Sequence, residues 1–124
     1  MNVILFFLSA GLLLIWGIAH LIATNSVVKG FGEISPDNKR IITMEWMIEG
    51  VTLIFLGVIL GLVTLIDRNS HVSQGVYWLT VIMLNVLSVI SLFTGFKIDF
   101  LPFKLCPIIF TGSSVLIILG LWIK

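Results

Sequence analysis

Residues 40–66 read RIITMEWMIEGVTLIFLGVILGLVTLI. Beyond the arginine, this stretch is long and apolar enough to cross a membrane as one α-helix, because about 20 residues at a rise of about 1.5 Å each span the hydrocarbon core. Two positions depart from a plain membrane span, Glu45 and Glu49, which lie four residues apart. Residues at that spacing share one face of a helix. The stretch therefore predicts a membrane helix with an acidic face.

Apolar runs of similar length occur on both sides of this helix. We expect four membrane helices, over residues 2–23, 41–66, 75–96 and 105–123. The first is expected to be a retained helix rather than a cleaved signal. The whole chain is 59% hydrophobic and 10% charged, with a mean hydropathy of +1.21, and the alternation that a membrane β-barrel needs is absent. The sequence thus predicts an all-α fold, a polytopic four-transmembrane-helix bundle in the lipid bilayer, with residues 1–124 as a single domain.

The basic residues favour one orientation. Loops 1–2 and 3–4 carry five of them, whereas loop 2–3 and the C-terminus carry two: Lys29, Lys39, Arg40, Lys97 and Lys104 against Arg68 and Lys124. Because cytoplasmic loops are enriched in Lys and Arg, we expect loops 1–2 and 3–4 to be cytoplasmic and both termini to lie outside. The formal net charge of only +1 argues against a nucleic-acid partner.

Local patterns predict how the second and fourth helices begin. Ser35, followed by Pro36 and Asp37, has the pattern of a helix N-cap with proline and an acid in the first turn. Pro102 and Pro107 lie around the expected start of helix 4, where a missing amide is tolerated. We expect Pro107 to serve that starting role, with a kink as the alternative.

The topology places both glutamates within the membrane. Counted from residue 41, Glu45 lies about 6 Å and Glu49 about 12 Å inside the boundary. Two ionised carboxylates on one face would repel each other and lose hydration. We therefore expect at least one of them to be neutral, bound to a metal or paired with a cation. His20 on helix 1 has nearly the depth of Glu45, and we expect the two to lie within hydrogen-bond or single-water reach.

Other side chains are candidates for the same site. Trp16 and Trp46 are expected to form aromatic walls, and Asn85 and Ser88 on helix 3 are expected to approach Glu49. Together these residues predict a proton- or ligand-binding pocket that opens toward the cytoplasmic leaflet.

A metal site is one interpretation of this cluster. His20, Glu45 and Glu49 offer one imidazole and two carboxylates, enough for a divalent cation completed by water. Structural interpretations remain open beside it. Glu45 would then pair with Arg40, Lys39 or Lys104, and His20 would be a hydrogen-bonded core histidine. Cys106, the only cysteine, cannot form an intramolecular disulfide and is expected to be a small packing residue.

A close-packing motif suggests a partner surface. Gly57 and Gly61 form a GxxxG pattern, which lets two helix backbones approach closely. We expect this face to serve either packing within the bundle or association with a second copy or another membrane protein.

The layout resembles that of the DoxX-like small bacterial membrane proteins. The resemblance rests on four short helices, on WGIAHL at residues 16–21 late in helix 1, and on EWMIEG at residues 45–50 early in helix 2. It implies a four-helix protein of the bacterial inner membrane and carries no catalytic motif.

Three classes of function remain. The first is a membrane-embedded binding protein or small carrier that binds a proton, cation or amphiphile. The second is a membrane enzyme that uses acid–base chemistry on a quinone, a sterol-like molecule or a lipid; the histidine with two acids is chemically similar to the site of the emopamil-binding sterol isomerase group. The third is an accessory subunit of a membrane complex. Common enzyme motifs are absent, and the sequence identifies no cofactor.

Overall fold

The protein is a bundle of four long α-helices. The computed structural model describes residues 1–123, with α1 at Val3–Gly30, α2 at Pro36–Asp67, α3 at His71–Phe93 and α4 at Leu101–Trp122; a 3₁₀ turn, Gly95–Lys97, follows α3. No strand occurs within these residues. All four helices are long and apolar enough to cross a membrane. The predicted all-α, four-helix membrane fold is confirmed.

Each predicted helix is too short at one end. α1 continues past residue 23 to Gly30, α2 begins at Pro36 rather than at residue 41, α3 spans His71–Phe93 rather than residues 75–96, and α4 begins at Leu101 rather than at residue 105. The predicted boundaries followed the hydrocarbon core alone. Polar residues can continue a helix into the headgroup region, because water there solvates their side chains.

The start of α2 follows the predicted capping pattern. Ser35 is the N-cap, and its hydroxyl accepts a hydrogen bond of 3.2 Å from the backbone amide of Asn38, with Pro36 in the first turn. The start of α4 corrects the sequence analysis. Pro102 occupies its first turn, whereas Pro107 lies inside the helix, so the helix-starting role belongs to Pro102.

The buried residues of α1 and α2 form one continuous seam. Their spacing alternates between four and three residues, as in left-handed helix pairs. On α1 they include Phe6, Ala10, Leu13, Gly17, His20, Thr24 and Val27. On α2 they are Trp46, Gly50, Leu53, Gly57, Leu60 and Thr64.

Glycines set the spacing of this seam. A Cβ added at Gly17 would lie 2.7 Å from the carbonyl oxygen of Gly50, and one added at Gly57 would lie 2.9 Å from the carbonyl oxygen of Ala10. Nothing lies within 4 Å of a Cβ added at Gly61. Gly57 therefore belongs to the α1–α2 contact, whereas Gly61 takes no part in it.

The four helices pack as a ring in chain order. α1 packs closely against α2, and α4 packs against both α1 and α3, whereas α2 and α3 touch only sparsely. Large side chains fill the centre of the ring; Phe6 of α1, for instance, stacks on Tyr77 of α3 at 4.2 Å between ring centroids. The loose α2–α3 side is the one gap in the ring, and the candidate site borders it.

Candidate functional site

His20 is held rigidly where α1, α2 and α4 meet. Its side chain is 2% exposed, and its ring stacks on the indole of Trp46 at 4.4 Å between centroids. The Trp16 ring meets the His20 ring edge to face, with 5.5 Å between the centroids. The backbone carbonyl of His20 accepts hydrogen bonds from Trp46 Nε1 at 2.7 Å and from the Thr24 hydroxyl at 3.0 Å. Both predicted tryptophans thus contact His20.

One hydrogen bond determines the direction of the His20 lone pair. Nδ1 lies 2.9 Å from the backbone carbonyl oxygen of Trp16. A carbonyl oxygen can only accept, so Nδ1 carries the proton. In the neutral ring the other nitrogen, Nε2, then presents a free lone pair.

Nε2 faces one acid and one thiol. Glu49 Oε1 lies 3.6 Å from it, and Cys106 Sγ lies 3.9 Å from it. The donor atoms of these three residues lie within 4.8 Å of one another. We call this group the His–Glu–Cys cluster. It brings together α1, α2 and α4, which no local sequence pattern joins.

Cys106 is the residue that the sequence analysis missed. The predicted start of helix 4 at residue 105 placed it at the membrane boundary, whereas the actual start at Leu101 puts it more than one turn inside. Its side chain is buried and carries no disulfide. Its spacing, four residues before the buried Phe110 on α4, was a signal for burial but did not indicate which side chains it would contact.

Glu45 does not take the position that was expected for it. Its side chain is exposed, and the acid in contact with His20 is Glu49 instead. Within the described residues, the group suited to a metal contains Cys106 in place of Glu45. The reason lies in depth: His20 packs at the level of Gly50, where an added Cβ would lie 3.0 Å from His20 Cβ, so the neighbouring Glu49 meets it, whereas Glu45 lies one turn nearer the loop.

Asn85 and Ser88 were expected to approach Glu49. Their hydrogen bonds connect α3 to α4 instead. Asn85 Nδ2 donates to the backbone oxygen of Val81 and to Ser114 Oγ, each at 2.7 Å. Ser88 Oγ donates to the Pro107 carbonyl at 3.2 Å. That carbonyl belongs to the α4 proline inside the helix. These polar groups therefore satisfy one another, as is common between membrane helices.

A cleft of about 620 Å³ lies between α2 and α3, next to the cluster. Its walls are mainly apolar, with Ile41, Ile48, Met83, Leu87, Ile90 and Ile98 among them. Glu45, Glu49 and Cys106 line it as well, as does Trp46. Phe31 and the 3₁₀ turn border it at the loop end. A large apolar space with a few polar groups on one wall is the usual form of a small-molecule site.

Two surface ion pairs lie at this end of the bundle. Arg40 pairs with Asp37 at 3.3 Å and Lys104 with Asp99 at 2.8 Å, both on the surface. The hydrogen bond from Lys104 lowers the pKa of Asp99. The partners of Arg40 and Lys104 are thus aspartates. The alternative in which one of these two basic residues pairs with Glu45 is not what the structure shows.

Comparisons with known proteins add no relative from which a role could be transferred. No protein-family model matches the chain, and neither the curated proteins nor the solved structures contain a significant match to it. The His–Glu–Cys cluster and the cleft are therefore the features from which a role can be inferred.

Proposed function

We propose that this protein is a membrane-embedded binding protein, a small carrier, whose cleft takes an amphiphilic ligand. The observation that carries the proposal is the 620 Å³ space between α2 and α3, which is apolar along most of its walls and acidic on one. An apolar chain would lie along the apolar walls at little cost, because the bilayer and the cleft are similar environments for it. The ligand's polar end would face Glu45 and Glu49.

The acids specify the chemistry of that polar end. Carboxylates accept hydrogen bonds and attract positive charge. The hydroxyl of Thr52 and that of Ser91 line the same space and add further partners. We therefore expect a ligand whose head is an amine or another hydrogen-bond donor.

The position of the cleft supports exchange with lipid. It lies on the side of the ring where two helices touch sparsely, so a ligand can enter sideways from the bilayer. With loops 1–2 and 3–4 in the cytoplasm, as the basic residues favour, this entrance faces the inner leaflet.

Quenching of tryptophan fluorescence tests the proposal directly, because Trp46 lines the cleft. The protein would carry Trp78→Phe and Trp122→Phe to remove the two tryptophans near the opposite boundary, and would be placed in phosphatidylcholine nanodiscs with a metal chelator. The probe is a long-chain alkylamine with a bromine at the chain end. We expect quenching that saturates, whereas simple partition into lipid gives quenching that rises without a limit.

Two substitutions of similar size separate the cleft from the lipid-facing surface. Thr52→Phe fills the cleft, whereas Val51→Phe adds the same ring to a neighbouring position that is 55% exposed to the outside. We expect saturable quenching to disappear in the first and to persist in the second. Glu45→Gln should weaken binding of the amine more than that of the matching alcohol. Equal, unsaturable quenching in all variants would reject the proposal.

A second candidate is a membrane enzyme, and one observation favours it. The hydrogen bond to Trp16 aims His20 Nε2 at Glu49 beside the cleft, an arrangement suited to moving a proton on a quinone or another lipid-soluble substrate. A chemical change in the bound ligand would distinguish an enzyme from a carrier. Mass analysis of the ligand before and after incubation measures it.

A further inference from the structure

We propose that the His–Glu–Cys cluster is a binding site for a transition metal of the Zn²⁺ class, with His20 Nε2, Glu49 and Cys106 Sγ as its three protein ligands. The proposal does not depend on amphiphile binding in the cleft. It also differs from the set of His20 with two glutamates that the sequence suggested, because the thiol of α4 takes the place of Glu45.

The donor set fits such an ion. An imidazole nitrogen, a thiolate and a carboxylate are the three ligand types that Zn²⁺ uses in proteins, and three protein ligands with an open fourth position are common in its reactive sites. A thiolate disfavours Ca²⁺ and Mg²⁺, which prefer oxygen ligands.

The distance between His20 and Glu49 fits two ligands of a common ion better than it fits a hydrogen bond. The separation of 3.6 Å between Nε2 and Glu49 Oε1 exceeds the usual range of about 2.7–3.2 Å for a hydrogen bond from nitrogen to oxygen. Tetrahedral coordination at normal zinc bond lengths separates nitrogen and oxygen by about 3.4 Å and nitrogen and sulfur by about 3.6 Å. The observed 3.6 Å and 3.9 Å lie slightly above these values, so a small inward movement would close the site.

The surroundings of His20 are those of a metal ligand. Histidine ligands usually donate the hydrogen of their other ring nitrogen to a carbonyl or a carboxylate, which fixes the ring orientation. His20 Nδ1 makes this bond to the Trp16 carbonyl, and stacking on Trp46 holds the ring from one side. The lone pair of Nε2 is thereby aimed at the other two ligands.

Charge balance within the membrane also favours the ion. Glu49 and the Cys106 thiolate together carry two negative charges, which a divalent cation neutralises. A neutral cluster avoids the cost of an uncompensated charge between membrane helices. Cys106 and Glu49 also line the cleft, so the fourth coordination position lies on the side where a ligand of the cleft would enter.

Cobalt titration is the decisive experiment, because the chain has one cysteine. The purified protein in detergent is stripped with a chelator and then titrated with Co²⁺. A sulfur-to-cobalt charge-transfer band in the near ultraviolet can arise only from Cys106. We expect this band to appear at one Co²⁺ per chain and to disappear when Zn²⁺ replaces it.

The variants have matched controls. Cys106→Ser should abolish the band, and His20→Gln and Glu49→Gln should each lower the affinity at least about 10-fold. His71→Gln changes the only other histidine, and Glu45→Gln changes the neighbouring acid; neither should alter the affinity. A cobalt affinity that is unchanged in both His20→Gln and Glu49→Gln would overturn the three-residue site.

A second measurement covers variants that fail to fold. The thermal midpoint of the unmodified protein should rise when Zn²⁺ is added and fall when it is chelated, because a ligand that binds only the folded state stabilises it. If the unmodified protein gives neither a charge-transfer band nor a zinc-dependent midpoint, the cluster is only a His20–Glu49 contact beside a packed thiol, and the proposal is wrong.

Discussion

Glu49 combines a deep position with a fixed neighbour. It lies near the middle of α2, its side chain is 33% exposed, and its carboxylate faces the lone-pair side of His20. The arrangement suits a proton, a metal ion or the ammonium group of a ligand beside the carboxylate, but not a covalently fixed positive charge in its place. Substitutions of Glu49 are therefore expected to act more through the charge of the new side chain than through its size.

We expect Glu49→Gln to fold as well as the unmodified protein and Glu49→Lys to lose stability by about 2.5–3.5 kcal/mol or to fail to assemble, since a lysine at the membrane centre costs roughly this much. A glutamine amide can still donate to His20 Nε2 without adding charge, whereas a lysine ammonium places an uncompensated positive charge beside the buried imidazole. Thermal midpoints in detergent and size-exclusion profiles measure the effect.

Glu45→Lys is the matched control for charge. Its position is exposed and one turn nearer the headgroups, which a lysine can reach, so its effect should be smaller. If Glu49→Gln and Glu49→Ala both unfold the protein, the carboxylate is a structural partner, and the binding role of Glu49 should be abandoned.

At the scale of the element, the contact between α1 and α2 depends on glycine. Gly17 and Gly50 face each other with a carbonyl of one helix against the Cα of the other. His20 lies about one turn after Gly17 on α1, and the close approach brings its Nε2 to 3.6 Å from Glu49 Oε1 on α2. A wider separation would move His20 away from Glu49, so the helix pair positions the site.

Gly17→Ala should destabilise the bundle by about 1–3 kcal/mol, the usual cost of overpacking, because its Cβ would lie 2.7 Å from a backbone oxygen that cannot move freely. Gly61→Ala is the control, with open space around its Cβ, and it should be neutral or slightly stabilising. Unfolding in detergent with increasing denaturant compares the two. Equal midpoints would show that α1 and α2 are not packed at this distance.

For the whole molecule, the ring of helices is uneven. Three sides are closely packed and the α2–α3 side is not. The cleft lies on this loose side, next to the His–Glu–Cys cluster, at the end of the bundle that contains the α1–α2 loop and the 3₁₀ turn. The orientation of the chain therefore decides which leaflet the site faces.

Labelling of introduced cysteines tests that orientation. Cys106 is buried and should react poorly, so Asn38→Cys and Asn69→Cys provide the signal at opposite ends of the bundle. We expect a membrane-impermeant maleimide to label position 69 from outside intact cells and position 38 only after lysis, because loop 1–2 carries the basic excess. Labelling of position 38 in intact cells would reverse the orientation and the leaflet that the cleft faces.

The sequence by itself determined the number of membrane helices and the cap at Ser35, and it singled out Glu49 and His20 as candidate site residues. These features follow from local properties, namely apolar length, capping chemistry and the cost of an acid in hydrocarbon. Only the tertiary structure decided that Glu49 rather than Glu45 meets His20, that Cys106 joins them, and that Asn85 and Ser88 turn to α4. The physical reason is that four uniformly apolar helices contain little information about which faces meet, because lipid and protein are similar environments for an apolar side chain. Close contacts such as Gly17 against Gly50 set the rotation and depth of each helix, and these contacts exist only in the assembled bundle.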